Sequence, residues 1–447
     1  MPAEHPSTLS ASEAAKRIRE GFLTSEELVE GCLDRIRQVE PVVQAWAFLD
    51  EELALKQARL ADELKRSAQP IGPLHGIPVG IKDIVDTTDM PTENGTVLHK
   101  GRWPRQDAAL VSMLKAAGAV ILGKTVTTEC AYFHPGKTRN PWNPEHTPGG
   151  SSSGSAAAVA ASMVPLAVGS QTNGSVIRPA AFCGVFGFKP THGLIPRTGV
   201  LSLSRALDTM GVFARSLEDL ALIAEVLAGF DEGDPDTRLR ARVPFTETLR
   251  EEPPIPPVIG LVKTPYWDRA SEETRQGLAE VAEALGAQVE EVELGPSAAE
   301  AWDWQKLIME ADMAVSFEAE WTKGRDKLSA PLRALIERGR EAKVVDYQRA
   351  VRGARAVIDS LDELFMERYD ALLTPAAPGS APKGLAATGD PVFCTLWSLC
   401  GMPALSLPLL QDAQGLPIGV QLVGRRNFDA RLFRTARWLA GAVEAQG

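Results

Sequence analysis

The sequence predicts an α/β fold, and three observations carry that expectation. Between Ile71 and about Gly211, short apolar runs alternate with helical stretches in a β–α–β rhythm. Strand-like runs return near the C-terminus as ALLTPAAPG, PALSLPLL and IGVQLVG. Neither set makes a full layer alone, so both are expected to share one sheet.

The elements follow in order. Residues 8–38 read as helical, with Ser12 as the cap of one helix and Thr24-Ser25-Glu26-Glu27 opening a second. Residues 50–66 form a charged helix. The composition then shifts to Gly, Ser and Thr. IPVGIKDIVD reads as a strand entering a turn, Ala108–Ala117 as a helix, and AVILGKT as a buried strand with a polar exit. Residues 231–257 hold DEGDPDTR and EEPPIPP and read as a linker or surface excursion. IGLVKTPYW is a strand, Ser271 begins a helix that stops near Gly286, and AQVEEVEL is another strand. Residues 297–368 are mostly helical, and a last helix runs from Ala430 to Ala445. There is no internal repeat.

Bulk properties exclude several classes. At 447 residues, one large domain or two fused ones is expected. A charged fraction of 23% suits a globular protein rather than a disordered one. A formal net charge of -11 repels phosphate backbones, so no nucleic acid is expected as a direct partner. The N-terminus lacks the basic-then-apolar order of a secretory leader. The longest small and apolar stretch, Ala156 to Gly169, is broken by Ser162 and Pro165 and is too short to span a bilayer. The five cysteines are dispersed, without C-x-x-C spacing, which points to a reducing cytoplasm.

The chemistry is approached by elimination. No pair of the six histidines has metal-site spacing, so neither zinc nor any other metal is expected. No glycine-rich phosphate loop occurs in context, so no cofactor is expected. Gly150-Ser-Ser-Ser-Gly154 matches G-x-S-x-G around Ser152. Prolines 141, 144 and 148 precede it and no histidine follows His192, which argues against a nucleophile elbow. Ser112 and Lys115 make an isolated S-x-x-K on a helix surface.

A serine hydrolase with a lysine base remains. A free lysine titrates near ~10.4, so the base must be desolvated to be neutral near pH 7. Lys82 in GIPVGIKDIVD fits best, Lys124 and Lys189 in their apolar strands stay open as the other candidates, and the alternative for Lys82 is a structural salt bridge to Asp83 or Asp86. The nucleophile needs converging backbone N–H groups. The turn Thr172-Asn173-Gly174-Ser175, leading into a short helix, offers them, with the helix N-terminus adding positive potential. Asn173 and Gly174 are the residue types that best tolerate φ > 0. Ser151, Ser152 and Ser153 are not distinguished by these arguments.

These pieces together resemble the amidase signature family. The strings that carry the resemblance are LHGIPVGIKD, Gly123-Lys-Thr-x-x-x-Glu129, NPWNPEHTPGGSSSGSAAAVAA, GSQTNGSVIRPAAFCGVFGFKPTHG, LDTMGVFARS and TGDPVF-x-x-LWSLCGMPALSLP. The likeness is close from Leu74 to about Arg215 and looser over the rest. It implies a large mixed β-sheet core covered by helices on both faces. It implies one domain over 1–447, with a signature core over 71–215 and a helical variable region over 231–370.

The resemblance also implies a Ser–cis-Ser–Lys triad. Its lysine falls on Lys82, its relay serine on Ser151 and its nucleophile on Ser175. Thr172, Asn173 and Gly174 then form the oxyanion hole. Arg178, three residues after Ser175, looks like the arginine that binds a substrate carboxylate in the malonamidase-like branch, against a purely structural alternative. Tyr132, Phe133 and Trp397 are expected to line the substrate pocket. Two positions depart from the family: Gln171 stands where an Asp is frequent, and Asn173 where a Gly is. Asn173 is expected to narrow the site or add a donor. The implied activity is hydrolysis of small amides, with aryl amides and carbamates or urethanes left open, on a small-molecule substrate and with a homodimer left open. The alternative is the A-type component of a glutamyl-tRNA amidotransferase, which passes ammonia to a charged tRNA and needs partner subunits.

Overall fold

The computed structural model describes residues 5–445. Residues 1–4, part of the N-terminus read above for a leader, lie outside the described residues, as do 446 and 447 of the C-terminal end.

The expected shared sheet is present, with eleven strands among the described residues. They are β1 (Trp46–Leu49), β2 (Pro78–Lys82), β3 (Val120–Thr125), β4 (Leu166–Gln171), β5 (Phe186–Lys189), β6 (Thr209–Ala214), β7 (Ile259–Val262), β8 (Val289–Val292), β9 (Ala371–Pro375), β10 (Ala404–Gln411) and β11 (Pro417–Val423). Their order is β1-β3-β2-β4-β6-β5-β10-β11-β9-β7-β8. Parallel pairs link β2 to β3 and β4, and β7 to β8 and β9. The other pairs, including β4 with β6 and β10 with β11, are antiparallel.

The central strands are buried on both faces, which is why they read as continuous apolar runs. Alternation still sorts them. Ile121, Leu166 and Val168 join one core, while Val120, Leu122 and Ala167 join a second on the opposite face. The helix Leu217–Leu227 packs in the first core and the helix Ser153–Ala160 in the second.

Three expectations need correction. The first helix, Ala11–Glu20, is capped by Ser10, whose side chain accepts from the Glu13 N–H, so Ser12 lies inside it. The second runs from Ser25 to Val43, past residue 38, and has the expected Thr24–Glu27 capping box. Residues 231–257, read as a linker or surface excursion, are a surface excursion and not a free linker. They contain the helix Phe245–Arg250, and Asp234 and Asp236 bind the Arg197 guanidinium. By contrast, the helix Glu272–Leu285 sits between its Ser271 cap and Gly286 as read from the sequence.

The topology brings the ends of three central strands together along one rim, an edge that runs across the strands. β2 and β4 are parallel and end at Lys82 and Gln171, while β6 starts beside them at Thr209. The helix Ser153–Ala160 is pressed against the same edge. The Gly154 N–H donates to the Val126 carbonyl at 2.9 Å, and the Val126 N–H to the Ala45 carbonyl at 2.8 Å. A Cβ on Gly154 would collide with the Ala45 carbonyl oxygen and the Val126 nitrogen, both rigid backbone. Gly154→Ala is therefore expected to cost about 1–3 kcal/mol of stability through overpacking. Chemical denaturation of the variant checks this, and an unchanged midpoint would contradict the close approach.

Candidate active site

Lys82 ends β2 with no solvent exposure. Its Nζ donates to Ser151 Oγ at 2.7 Å and to Ser170 Oγ at 2.9 Å. Burial holds the amine well below its ordinary value, opposed by the charge of Asp208. The two nearby acids of its own strand exit are engaged elsewhere. Asp83 faces Lys124 at 3.8 Å and Asp86 binds Arg102. Lys82 is thus not part of a salt bridge to either.

The other two lysines differ in their partners. Lys124 Nζ donates to the Val85 carbonyl and to the Thr87 and Thr92 hydroxyls. Lys189 Nζ donates to the Met402 and Pro190 carbonyls. Both cross-link backbone segments. Among the three, Lys82 alone touches serine hydroxyls.

The three serines after Gly150 also separate. Ser152 Oγ exchanges hydrogen bonds with the Ser170 backbone, and Ser153 Oγ donates to the Gly149 carbonyl. Ser151 reaches Lys82. The Gly150–Ser151 peptide is cis. Its carbonyl accepts from Arg178 Nη2 at 2.7 Å, and the Ser151 carbonyl accepts from the Thr128 N–H at 3.2 Å.

Ser175 lies half-buried in the turn after β4. It lines one cavity of about 290 Å³ with Ser151, Thr172, Asn173 and Arg178. The backbone N–H groups of Asn173, Gly174 and Ser175 take no acceptor among the described residues, so they are free to bind a ligand oxygen. The helix Ile177–Cys183 adds less than the sequence suggested. Gln171 Oε1 accepts from the Val176 and Ile177 N–H groups at 2.9 and 3.0 Å, which engages that end of the helix.

Neither Asn173 nor Gly174 has positive φ, contrary to the sequence argument. Gly174 is required for space instead. A Cβ there would sit 2.8 Å from Arg178 Nη1 and 2.8 Å from Pro391 Cβ. The Asn173 side chain is fully tied: its Oδ1 accepts from Thr395 Oγ1 at 2.8 Å and its Nδ2 donates to Gln305 Oε1 at 3.3 Å. It anchors the turn to two helices, Thr395–Leu399 and Ala301–Ser316, and its amide hydrogen bond goes to protein.

Arg178 is 2% exposed, and burial draws its pKa down to about 10. Nε and Nη2 bind the Thr388 carbonyl and the Gly150 carbonyl. Nη1 is buried without a hydrogen-bond partner and borders the cavity. Arg178 therefore holds structure with two nitrogens and leaves a third for something else. Its guanidinium also stands 5.9 Å from the Phe133 ring.

Tyr132 and Phe133 line both this cavity and an outer vestibule, with their rings 4.9 Å apart. Trp397 does not join them. It is completely buried in the helix Thr395–Leu399 and borders neither space. The vestibule aromatics are instead Tyr266 and Trp302, 4.8 Å apart. The sequence reading also passed over Ser170 and Asp208, although both lie in or beside the quoted strings GSQTNGS and LDTMG. A polar residue at the last turn of an apolar strand was the available signal.

Among the described residues, no group of three or more His, Cys, Asp or Glu side chains could hold a metal ion, and no helix is long and apolar enough to cross a membrane. All five cysteines are free and buried.

Comparison with known proteins fits this geometry. The chain is 34% identical over 470 residues to the A-type component of the glutamyl-tRNA(Gln) amidotransferase of Carboxydothermus hydrogenoformans, covering 96% of each chain. It superposes on a 6-aminohexanoate cyclic dimer hydrolase with a TM-score of 0.88 at 26% identity, covering 97% of each chain. It superposes on the peptide amidase of Stenotrophomonas maltophilia with a TM-score of 0.82 at 31% identity, covering 98% of this chain and 97% of that one. The amidase family model matches residues 27–433, and with that span accounted for the chain belongs to the amidase family.

Proposed function

We propose that the chain hydrolyses C–N bonds of small amides through an acyl-enzyme on Ser175, with Ser151 as relay and Lys82 as base. The observation that carries this reading is a fully buried lysine amine hydrogen-bonded to Ser151 Oγ at 2.7 Å without a carboxylate in contact. A neutral amine there accepts the Ser151 proton as Ser151 Oγ takes the Ser175 proton. Ser175 Oγ bonds to the carbonyl carbon, and the carbonyl electron pair moves to oxygen. The N–H groups of residues 172–175 hold that oxyanion. Its collapse breaks the C–N bond, and the proton stored on Lys82 returns through Ser151 to the leaving nitrogen. Water then attacks the acyl carbon by the same relay and releases Ser175.

The substrate class is read from the walls. The unpartnered Arg178 Nη1 supports a carbonyl or carboxylate acceptor on the inner arm. The aromatic vestibule supports an aryl or apolar outer arm. Carbamates and urethanes share the carbonyl geometry and fall within the same reading. The five buried free cysteines support a reducing, cytoplasmic setting. One sheet that draws strands from both ends of the chain supports a single domain around the 71–215 core.

A second reading is the A-type component of an amidotransferase, favoured by the 34% identity to such a protein over 96% of each chain. The net charge of -11 leaves tRNA contact to partner subunits.

Purified protein is expected to hydrolyse at least one of an anilide, primary amide and carbamate panel without any partner. Ser175→Ala should lose about three orders of magnitude or more. Full activity in that variant sinks the nucleophile assignment. Hydrolysis by the wild type only after a partner is added favours the second reading.

The state of Lys82 can be tested through stability. Its ordinary value is 10.5, and in the fold it lies well below that. Between the two, the unfolded chain binds the extra proton. Stability from this site is therefore lower at neutral pH and rises with pH by about 1.4 kcal/mol per unit. Lys82→Met removes the dependence. Urea melts at about pH 7.5 and about pH 9 should show the wild type gaining stability on the variant as pH rises. Parallel pH dependence in both would mean that the lysine is charged in the fold.

A further inference from the structure

We propose that Asp208 is a positioning residue for this reaction: it fixes the start of the Ser175 turn through Thr172 and supplies the anion that faces Lys82 when the lysine takes the serine proton. The inference rests on the Lys82–Ser151–Ser175 reading.

The strand register sets the geometry. β4 and β6 pair Ser170 with Met210 and Gln171 with Thr209. One step further along the same antiparallel register, Thr172 faces Asp208. The contact is made: Asp208 Oδ1 accepts from Thr172 Oγ1 at 2.6 Å. Its Oδ2 accepts from the Leu203 and Ser204 N–H groups at 2.8 and 3.0 Å. A 9% exposed carboxylate thus holds the residue that opens the nucleophile turn.

The charge on this group is compensated in an unusual way. Among the described residues, no cationic side chain hydrogen-bonds the carboxylate. Arg197 Nη1 donates to the Asp208 backbone carbonyl, while its guanidinium is bound by Asp234 and Asp236. Arg205, on the same cavity wall, pairs with Asp236. Asp312, on the helix Ala301–Ser316, is reached by Ser204 Oγ and adds another negative charge nearby. From the sheet side the facing titratable group is Lys82, an amine whose ammonium form burial disfavours; it hydrogen-bonds Ser170, and Ser170 and Asp208 border one cavity of about 680 Å³. Burial raises the Asp208 carboxyl to about 6, so at neutral pH it is ionised.

The reaction uses this charge. The Ser175 O–H electron pair forms the bond to the carbonyl carbon. The Ser175 proton passes to Ser151 Oγ as the Ser151 proton passes to Lys82 Nζ. An ammonium then stands where a neutral amine stood, in a low-dielectric site where an isolated charge is costly. Asp208 stays ionised throughout and offsets it.

Asp208→Asn tests the charge alone. Its amide oxygen can accept from Leu203 and Ser204 while its NH2 donates to Thr172 Oγ1, so the contacts survive. On a substrate that the wild type turns over, kcat should fall about 10- to 100-fold, the low end for groups that assist proton transfer, with KM within about threefold. The acidic limb of the kcat/KM profile should move to lower pH, because Lys82 without its anion binds a proton less tightly. A limb that stays in place, whatever happens to the plateau or the unfolding temperature, overturns the proposal. If Asp208→Asn does not fold, Asp208→Ser with added formate decides. Rescue by formate and not by formamide supports the charge role, and no rescue overturns it. Failure of both variants to fold overturns it in favour of a purely structural role. Ser175→Ala runs in the same assay. Activity retained there sinks the triad reading, whereas an inactive Ser175→Ala beside an unmoved limb sinks only the role of Asp208.

Discussion

Lys82 Nζ is held by two hydroxyls and touches no carboxylate, at a position with no solvent exposure. That arrangement is expensive for an ordinary lysine, since burial works against the ammonium form. The fold gives Lys82 hydroxyl partners that are themselves fixed, and burial pushes it towards the neutral amine. Ser151 is fixed because both carbonyls around it are held, one by Arg178 and one by Thr128. Ser170 is fixed by the β4–β6 ladder and by Ser152. The ends of the central strands β2, β4 and β6 gather around one buried amine whose ammonium form is disfavoured.

Much of this was legible in the sequence, for identifiable reasons. Strands buried on both faces read as apolar runs, and helices with Ser, Thr or Asp caps announced their starts, as at Thr24 and Ser271. What the residues alone left open was the choice among Lys82, Lys124 and Lys189. All three are fully buried lysines ending or interrupting apolar strands. They differ in what lies at the end of the side chain: serine hydroxyls for Lys82, carbonyls for Lys189, and a carbonyl with two threonines for Lys124. Those partners come from segments distant in sequence, so no local pattern encodes them. The same holds for the serine triplet, where Ser152 and Ser153 turn to nearby backbone and Ser151 turns to β2. Trp397 shows the opposite failure. An aromatic residue in a family-like string suggested a pocket wall, yet its helix packs it wholly into the core.

For Arg178 the structural role is visible, and it does not use up the whole guanidinium. Nε and Nη2 fix the Thr388 and Gly150 carbonyls, so the arginine shapes the site before any ligand arrives. Nη1 remains unpaired at the cavity wall. A buried cationic donor without an acceptor is a standing cost of about 1–3 kcal/mol or more, and a ligand acceptor would relieve it. Gly174 keeps that nitrogen accessible, because any side chain there would press against it.

The two departures from the family pattern act together. A carboxylate at position 171 could accept from the Val176 and Ile177 N–H groups, as Gln171 Oε1 does. It could not donate. Gln171 Nε2 donates to Ser398 Oγ at 2.9 Å, which leaves the Ser398 hydroxyl proton free to bond the Asn173 carbonyl. Asn173 then ties its own side chain to Thr395, one turn earlier in the same helix. A directional chain of donors therefore runs from β4 through the helix Thr395–Leu399 and back to the turn that carries Ser175. An acid at 171 would break that chain at its first link. With an amide at 171, the Asn173 side of the turn is held by neutral hydrogen bonds whose strength does not vary with pH, while its Thr172 end is held by the Asp208 carboxylate.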